Sequence, residues 1–361
     1  MAVIDIDPKQ YPQQLKEKAE QLSAAYADFN PPQLEIYPSL PQHYRMRAEF
    51  RIWRDNGRIH YAMFNPENKQ VIEVTEFPVA TLSISELMPK LLIALQAEEV
   101  LHKRLFQVEF LASQTGDVLV SLIYHKPLDA SWEQAAKQLE QQLNIHIIGR
   151  SRKQRIVLSQ DYVIEKLTID EQNYFYQQIE NSFTQPNAHV CEKMLSWATG
   201  IAEELSGDLL ELYCGNGNFT VPLAKQFNKV LATEISKTSV KAAEYNFQRN
   251  NIKNVTIARM ASEELTEALN NVRAFRRLAH VDLDDYQFST VFVDPPRAGL
   301  DPATEELVKQ FDNIIYISCN PTTQQQNITN LMDTHQVKRF ALFDQFPYTH
   351  HMEAGVLLQK R

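Results

Sequence analysis

Apolar and polar residues alternate along this chain with two different periods, and the pattern changes near the middle. From Pro8 to Phe29, leucine, alanine and tyrosine recur among Lys, Glu and Gln at helical spacing, which predicts an amphipathic helix. "YRMRAEFRI" then alternates strictly. Tyr44, Met46, Ala48, Phe50 and Ile52 share one face of a strand, and Arg45, Arg47, Glu49 and Arg51 share the other. Asn56-Gly57 marks a hairpin turn, with "RIHYAMF" returning. A helical stretch from about Ser83 to Lys103 precedes a second strand–turn–strand unit, "LFQVEFLAS", "QTGD" and "VLVSLIYH". A helix over Ser131 to Leu143 and the strands "IHIIG" and "RIVLS" follow. Strands arranged in hairpins predict that residues 1–180 form an α+β domain with an antiparallel sheet.

From about Asn187, helices alternate with short, wholly apolar strands: "LLELYC", "KVLATEI", "VTIARM", "STVFVDPP" and "NIIYISCNP". This rhythm predicts an α/β domain over residues 181–361, with a doubly wound, mostly parallel sheet. The final strands, "RFALFDQF" and "GVLLQ", have no helix-length segment between them and form an antiparallel hairpin. The outline is similar to that of Rossmann-like class I S-adenosylmethionine-dependent methyltransferases, whose last strand runs antiparallel. The boundary between the two halves falls near Phe175–Asn187.

A length of 361 residues suits two domains, and 44% hydrophobic residues supply a sizeable core. No apolar run approaches membrane-spanning length, and "MAVIDIDPKQ" lacks the pattern of a signal peptide. Three cysteines are too few for a disulfide framework or a four-thiolate metal cluster. The expected setting is the cytoplasm, with no membrane, no metal and no required protein partner. A net charge of −9 argues against a general nucleic-acid coat protein but leaves room for a specific enzyme. "HYRMRAEFRIWRDNGR" holds five arginines, "GRSRKQR" four cations and "RAFRR" three, although each cluster also fits ordinary solvated surface.

"DLLELYCGNGNFT" runs from a strand into a loop with Gly215 and Gly217, and Glu234 stands nineteen residues after Gly215. Glycine lets backbone approach a ligand, and a carboxylate ending the next strand accepts both hydroxyls of a ribose. Thr220 stands where a dinucleotide fingerprint has its third glycine, so S-adenosylmethionine fits better than a nicotinamide. "FVDPPRAGLD" fixes Asp294 at a strand end beside two prolines and Arg297. Cys319 follows the fifth strand of this half. A lone cysteine is ordinarily a small apolar filler, but this one falls in the crevice that Asp294 and the glycine loop line. Cys191 and Cys214 are expected to be structural.

A cysteine there suits methylation at C5 of a pyrimidine. Thiolate addition to C6 makes C5 nucleophilic, and a base must afterwards remove the C5 proton. Nearby positive charge such as Arg297 is expected to favour the thiolate.

Taken together, "HYRMRAEFRIW", "NSFTQPNA", "ELYCGNGNF", "DPPR", "SCNP" and "FPYTHHME" resemble the tRNA (uracil-5-)-methyltransferase family, over essentially the whole chain. The resemblance implies Cys319 as nucleophile and Glu353 as base. It implies cofactor contacts at Gln185, Tyr213, Asn218, Glu234 and Asp294, with S-adenosylmethionine as methyl donor. It further implies the T-arm of tRNA as partner, uridine 54 as target, and RNA recognition by the first half. Arg45, Arg47, Arg51, Phe106, His125 and Arg297 are the candidate RNA contacts. Related ribosomal-RNA enzymes hold an iron–sulfur cluster on four cysteines, which three cysteines cannot supply. Two alternatives remain at this stage: a tRNA-binding or folding factor with a methyltransferase shell, and an RNA amine N-methyltransferase. His350 and His351, beside Glu353, raise the question of a metal half-site, but further converging ligands are lacking.

Overall fold

The computed structural model describes residues 6–65, 68–270 and 272–361; the first five residues, part of the opening stretch read above, lie outside the described residues. Helix α1 (Tyr11–Ala25) and the short strand β1 (Glu35–Tyr37) come first. The alternating stretch then becomes β2 (Arg47–Asp55), which buries Ala48, Phe50 and Ile52. Around it form β3 (Arg58–Phe64), β4 (Val71–Glu73), β5 (Leu105–Ala112) and β6 (Val118–Tyr124), with α2 (Leu82–Ala97) and α3 (Glu99–His102) between β4 and β5. Helix α4 (Ala130–Leu143), β7 (His146–Ser151) and β8 (Gln154–Val157) complete a sheet of order β4-β3-β2-β5-β6-β7-β8. Its apolar face packs on α2 and α4 through Leu87, Leu91, Trp132 and Leu139.

The expectation of an antiparallel sheet needs one correction: β6 and β7 pair in parallel. A helix the length of α4 carries the chain back along the sheet, and that crossover returns the next strand in the same direction. A further hairpin, β9 (Tyr162–Ile169) and β10 (Gln172–Ile179), was not anticipated.

In the second half α5 (Ala188–Ala202) leads into β11 (Asp208–Leu212), α6 (Thr220–Leu223), β12 (Val230–Thr233), α7 (Lys237–Arg249) and β13 (Val255–Ala258). There follow α8 (Ser262–Leu269), β14 (Phe288–Val293), α9 (Pro302–Val308), β15 (Asn313–Ser318), α10 (Pro321–Leu331), β16 (His335–Phe343) and β17 (Glu353–Lys360). The sheet order is β1-β16-β17-β15-β14-β11-β12-β13. Only β17 runs antiparallel to its neighbours, as the hairpin pattern predicts. Every residue of β11 and β12 is buried, because helices cover both faces of the sheet.

Residues 11–37 depart from the 1–180 division. β1 pairs with β16, and Leu22 of α1 and Tyr26, which follows its last turn, join the core of the second sheet. The Tyr26 ring stacks on Phe340 with centroids 4.8 Å apart. The apolar stripe of α1 needs a sheet face to cover, and α2 and α4 already occupy that of the first sheet. The parallel strands β11, β12, β14 and β15 end at one edge of the second sheet, and the antiparallel β17 begins there. That edge holds the site.

Candidate active site

The loop after β11 is shaped by backbone that few residues adopt. Gly215 and Gly217 take φ values of 57° and 78°, and Tyr213, which is not glycine, takes 61°. A Cβ at Gly217 would stand 2.7 Å from the Phe247 ring, so the loop closes tightly on α7. Glu234 spans the loop and the next helix: Oε2 accepts from Gly215 N at 3.0 Å and Oε1 from Ser236 N at 2.6 Å. Each oxygen keeps a lone pair for a ligand hydroxyl. The Tyr213 hydroxyl lies 2.7 Å from Ser262 Oγ.

Two hollows open on this edge and meet at Tyr213. The larger, about 380 Å³, is lined by Glu234, Ile235, Met260, Ser262, Pro296 and Leu300 among others. The smaller, about 50 Å³, is lined by Phe183, Gln185, Gly215, Asn218 and Asp294. A volume of roughly 300–1,000 Å³ is usual for a small-molecule site. An acid for a ribose at one end and a second acid for a cation at the other fit S-adenosylmethionine. All five expected cofactor residues line these hollows. Asp294 accepts from Gln185 Nε2 at 3.5 Å, and burial raises its carboxyl above the ordinary range.

Strand register brings the two expected catalytic side chains together. Ser318, the last residue of β15, pairs with Ala354 of β17. Cys319 is the next residue after Ser318 and Glu353 the one before Ala354, so both lie at the same end of the β15–β17 ladder, near enough for the Glu353 charge to act on the thiol. Cys319 is half-buried, whereas Glu353 is fully buried and its Oε1 has no hydrogen-bond partner. Burial raises the Cys319 thiol to about 11; Glu353 and Asp294 add to the rise, and Arg297 opposes it. Arg297 acts with the expected sign but does not prevail. Glu353 is likewise held well above the carboxylate range, by burial and by Asp294.

The family described as tRNA (Uracil-5-)-methyltransferase matches residues 10–361. A tRNA/tmRNA (uracil-C(5))-methyltransferase of Saccharophagus degradans is 59% identical over 357 residues, covering 98% of each chain. One from Vibrio parahaemolyticus is 53% identical over 368 residues, covering 100% of each. The chain belongs to the tRNA (uracil-5-)-methyltransferase family. In fold it is similar to the Pyrococcus abyssi tRNA (uracil-54, C5)-methyltransferase solved with S-adenosyl-L-homocysteine, at a TM-score of 0.72 and 21% identity, covering 96% of this chain and 83% of that one.

Members of this family are S-adenosylmethionine-dependent enzymes that methylate uracil, which sets aside both the binding-factor and the amine-methylation alternatives. The structure separates the expected RNA contacts into two groups. Arg51 lies over the Phe106 ring at 3.8 Å, and Phe106 stacks on His125 at 4.0 Å with planes 25° apart. The His125 ring is exposed and ends the stack. Arg47, by contrast, is turned inward, which corrects its expected role in phosphate contact. Its guanidinium donates to Thr184 Oγ1 and to the carbonyls of Glu180 and Ser182, and burial lowers its pKa to about 10. It fastens the segment that carries Gln185. Arg45 donates from Nε to the Arg47 carbonyl. In "GRSRKQR", Arg150 and Arg155 are both tied to Glu180.

Several lining residues escaped the sequence reading, Ser262 and Phe183 among them. Ser262 was hidden as an ordinary helix start. Phe183, 73% exposed at the mouth of the smaller hollow, stands inside the quoted "NSFTQPNA". The rings of His350 and His351 lie 4.1 Å apart, and no group of three His, Cys, Asp or Glu suited to a metal occurs among the described residues.

Proposed function

We propose that the enzyme methylates C5 of uridine 54 in the T-loop of tRNA, and of the equivalent uridine in tmRNA, through a covalent Cys319–RNA intermediate. The observation that supports this reading is that Cys319 follows, and Glu353 precedes, the last paired residues Ser318 and Ala354, and that the Cys319 thiol feels the charges of both Glu353 and Asp294, which lines the smaller hollow.

The Cys319 thiolate adds to C6 of the uracil. The C5–C6 π electrons move into the ring as an enolate, and C5 becomes the nucleophile. S-adenosylmethionine would supply an electrophilic methyl group on a sulfonium; as C5 takes the methyl, the S–CH3 bond breaks and S-adenosylhomocysteine leaves with the electron pair. With the methyl on C5, the Glu353 carboxylate removes the C5 proton, the C5–C6 double bond re-forms, and Cys319 leaves as thiolate. The burial that raises Glu353 makes its ionised form a stronger base than an exposed carboxylate. Asp294 and Gln185 would hold the cationic end of the cofactor, and Glu234 its ribose. Arg297, exposed beside Cys319, faces incoming RNA.

The first-half sheet serves as the RNA reader. A loop base must leave its stack to reach a half-buried thiol in a crevice. Both faces of Phe106 are covered in the free protein, so an RNA base stacks on the open face of His125 or parts the two rings. Replacing Cys319 with Ala is expected to abolish methyl transfer and any covalent RNA adduct while tRNA binding persists. Methylation by C319A would refute the nucleophile assignment.

A further inference from the structure

The base Glu353 is the first residue of β17, and residues 344–352, which carry no helix or strand, deliver it. That segment is held from a distant part of the chain. Lys18 of α1 donates from Nζ to Asp344 Oδ1 at 2.7 Å and to the Phe346 carbonyl at 2.8 Å, across 326 and 328 residues. The ion pair is closed to water, with the Lys18 side chain 6% and the Asp344 side chain 0% exposed. On the same face of α1, one turn earlier, Gln14 Oε1 accepts from Tyr348 N at 3.0 Å. Tyr11 sets its ring 5.9 Å from that of Tyr348, whose backbone takes a φ of 61°. Tyr348 donates its hydroxyl to the Pro41 carbonyl at 2.7 Å.

This anchoring bears on chemistry because no hydrogen bond holds Glu353 Oε1, which is buried without a partner. The direction of the carboxylate follows from its backbone, which the pairing of Glu353 with Phe343 fixes on the strand side and residues 344–352 fix on the other. A lysine on the buried side of α1, beside Ala19 and Leu22, is also an expensive residue to bury, since desolvation disfavours its charge. The first sheet and the glycine loop make no use of it.

Resting on the mechanism above, we propose that Lys18 is a positioning residue for proton removal: its pairing with Asp344 and Phe346 fixes the segment that aims Glu353 at the C5 proton. Proton removal follows methyl transfer, so loosening this anchor slows the last step alone and leaves methylated RNA bound to Cys319.

The test follows radiolabelled methyl from S-adenosylmethionine on a T-arm tRNA transcript, separating the protein–RNA adduct from free methylated RNA on denaturing gels. The variants are K18M, the neutral pair K18M/D344N, which leaves no unpaired buried charge, and Q14A, which removes one hydrogen bond only. Glu353→Gln serves as the reference for a lost base. Release of methylated RNA is expected to slow by up to about a hundredfold in the Lys18 variants, the scale of a small misplacement of a catalytic group. Q14A shifts the same way by less, and labelled adduct accumulates in all three. A merely structural role would reduce the folded fraction, lowering methyl transfer and release together with no labelled adduct; that result in K18M/D344N and Q14A overturns the proposal. If E353Q holds labelled adduct and these variants do not, the positioning role alone falls. If E353Q holds none, the base assignment falls first and takes the proposal with it.

Discussion

The raised thiol of Cys319 makes a quantitative prediction about the free enzyme. With the group at about 11, three tenfold steps separate it from pH 8 (11 − 8 = 3), so about one thiol in a thousand is ionised there. An unperturbed cysteine near 8.5 is ionised to about one part in four at the same pH. Alkylation of Cys319 by iodoacetamide is therefore expected to run on the order of a hundred times slower than that of a free thiol at pH 8. The rate should climb about tenfold per pH unit from 7 to 10 without levelling. Peptide mass spectrometry isolates the signal, because Cys191 and Cys214 are buried and their thiols are raised further. Burial is the leading cause, and the acids Glu353 and Asp294 are the next. A cation brought to Asp294 should lower the thiol, so S-adenosylmethionine should speed alkylation at pH 8 relative to S-adenosylhomocysteine, which lacks the sulfonium. Arg297→Met should slow it, since Arg297 stabilises the thiolate. A rate that levels off below pH 9 in the free enzyme would refute this electrostatic reading of the crevice.

Other outcomes are expected from the same geometry. Because burial raises Asp294, its carboxylate forms only at pH well above the usual range, so affinity for S-adenosylmethionine should strengthen with rising pH; calorimetry on D294N should show that dependence lost. R47M should lower the urea midpoint by the equivalent of about 3 kcal/mol and weaken cofactor binding, while the salt slope of tRNA binding stays unchanged. A slope reduced by about one would restore the phosphate-contact role. F106A, which removes the middle of the Arg51–Phe106–His125 stack, should cost tRNA affinity about 1–3 kcal/mol in filter binding and leave cofactor affinity intact.

Local pattern made much of this enzyme legible before its structure. The glycine loop, Glu234, Asp294 and Cys319 all follow short apolar strands, and in a parallel sheet such positions share one edge. What stayed hidden was non-local. The hairpin of β9 and β10 alternates mostly buried and half-buried residues and turns at Asp170 and Glu171, both with positive φ and neither of them glycine, and only the second half of β10 falls in the Phe175–Asn187 boundary stretch. Strict alternation placed Arg47 on the face away from the core, yet alternation does not reveal what covers that face. Here the segment after β10 does. Lys18 occupies a polar position of an amphipathic helix, and its partner lies 326 residues away. A similar separation, 314 residues between Tyr26 and Phe340 (340 − 26), hides the packing of this segment on the second sheet from any reading made window by window.

The central claim is that Cys319 and Glu353 carry methyl transfer to C5 of a T-loop uridine. Digesting tRNA treated with enzyme and S-adenosylmethionine, and mapping the methyl group by mass spectrometry, tests it most directly. The account predicts 5-methyluridine at position 54, absent from a transcript lacking that uridine and absent with C319A. A methyl group on a ring nitrogen, or no methylation of the uridine-containing transcript, would contradict it.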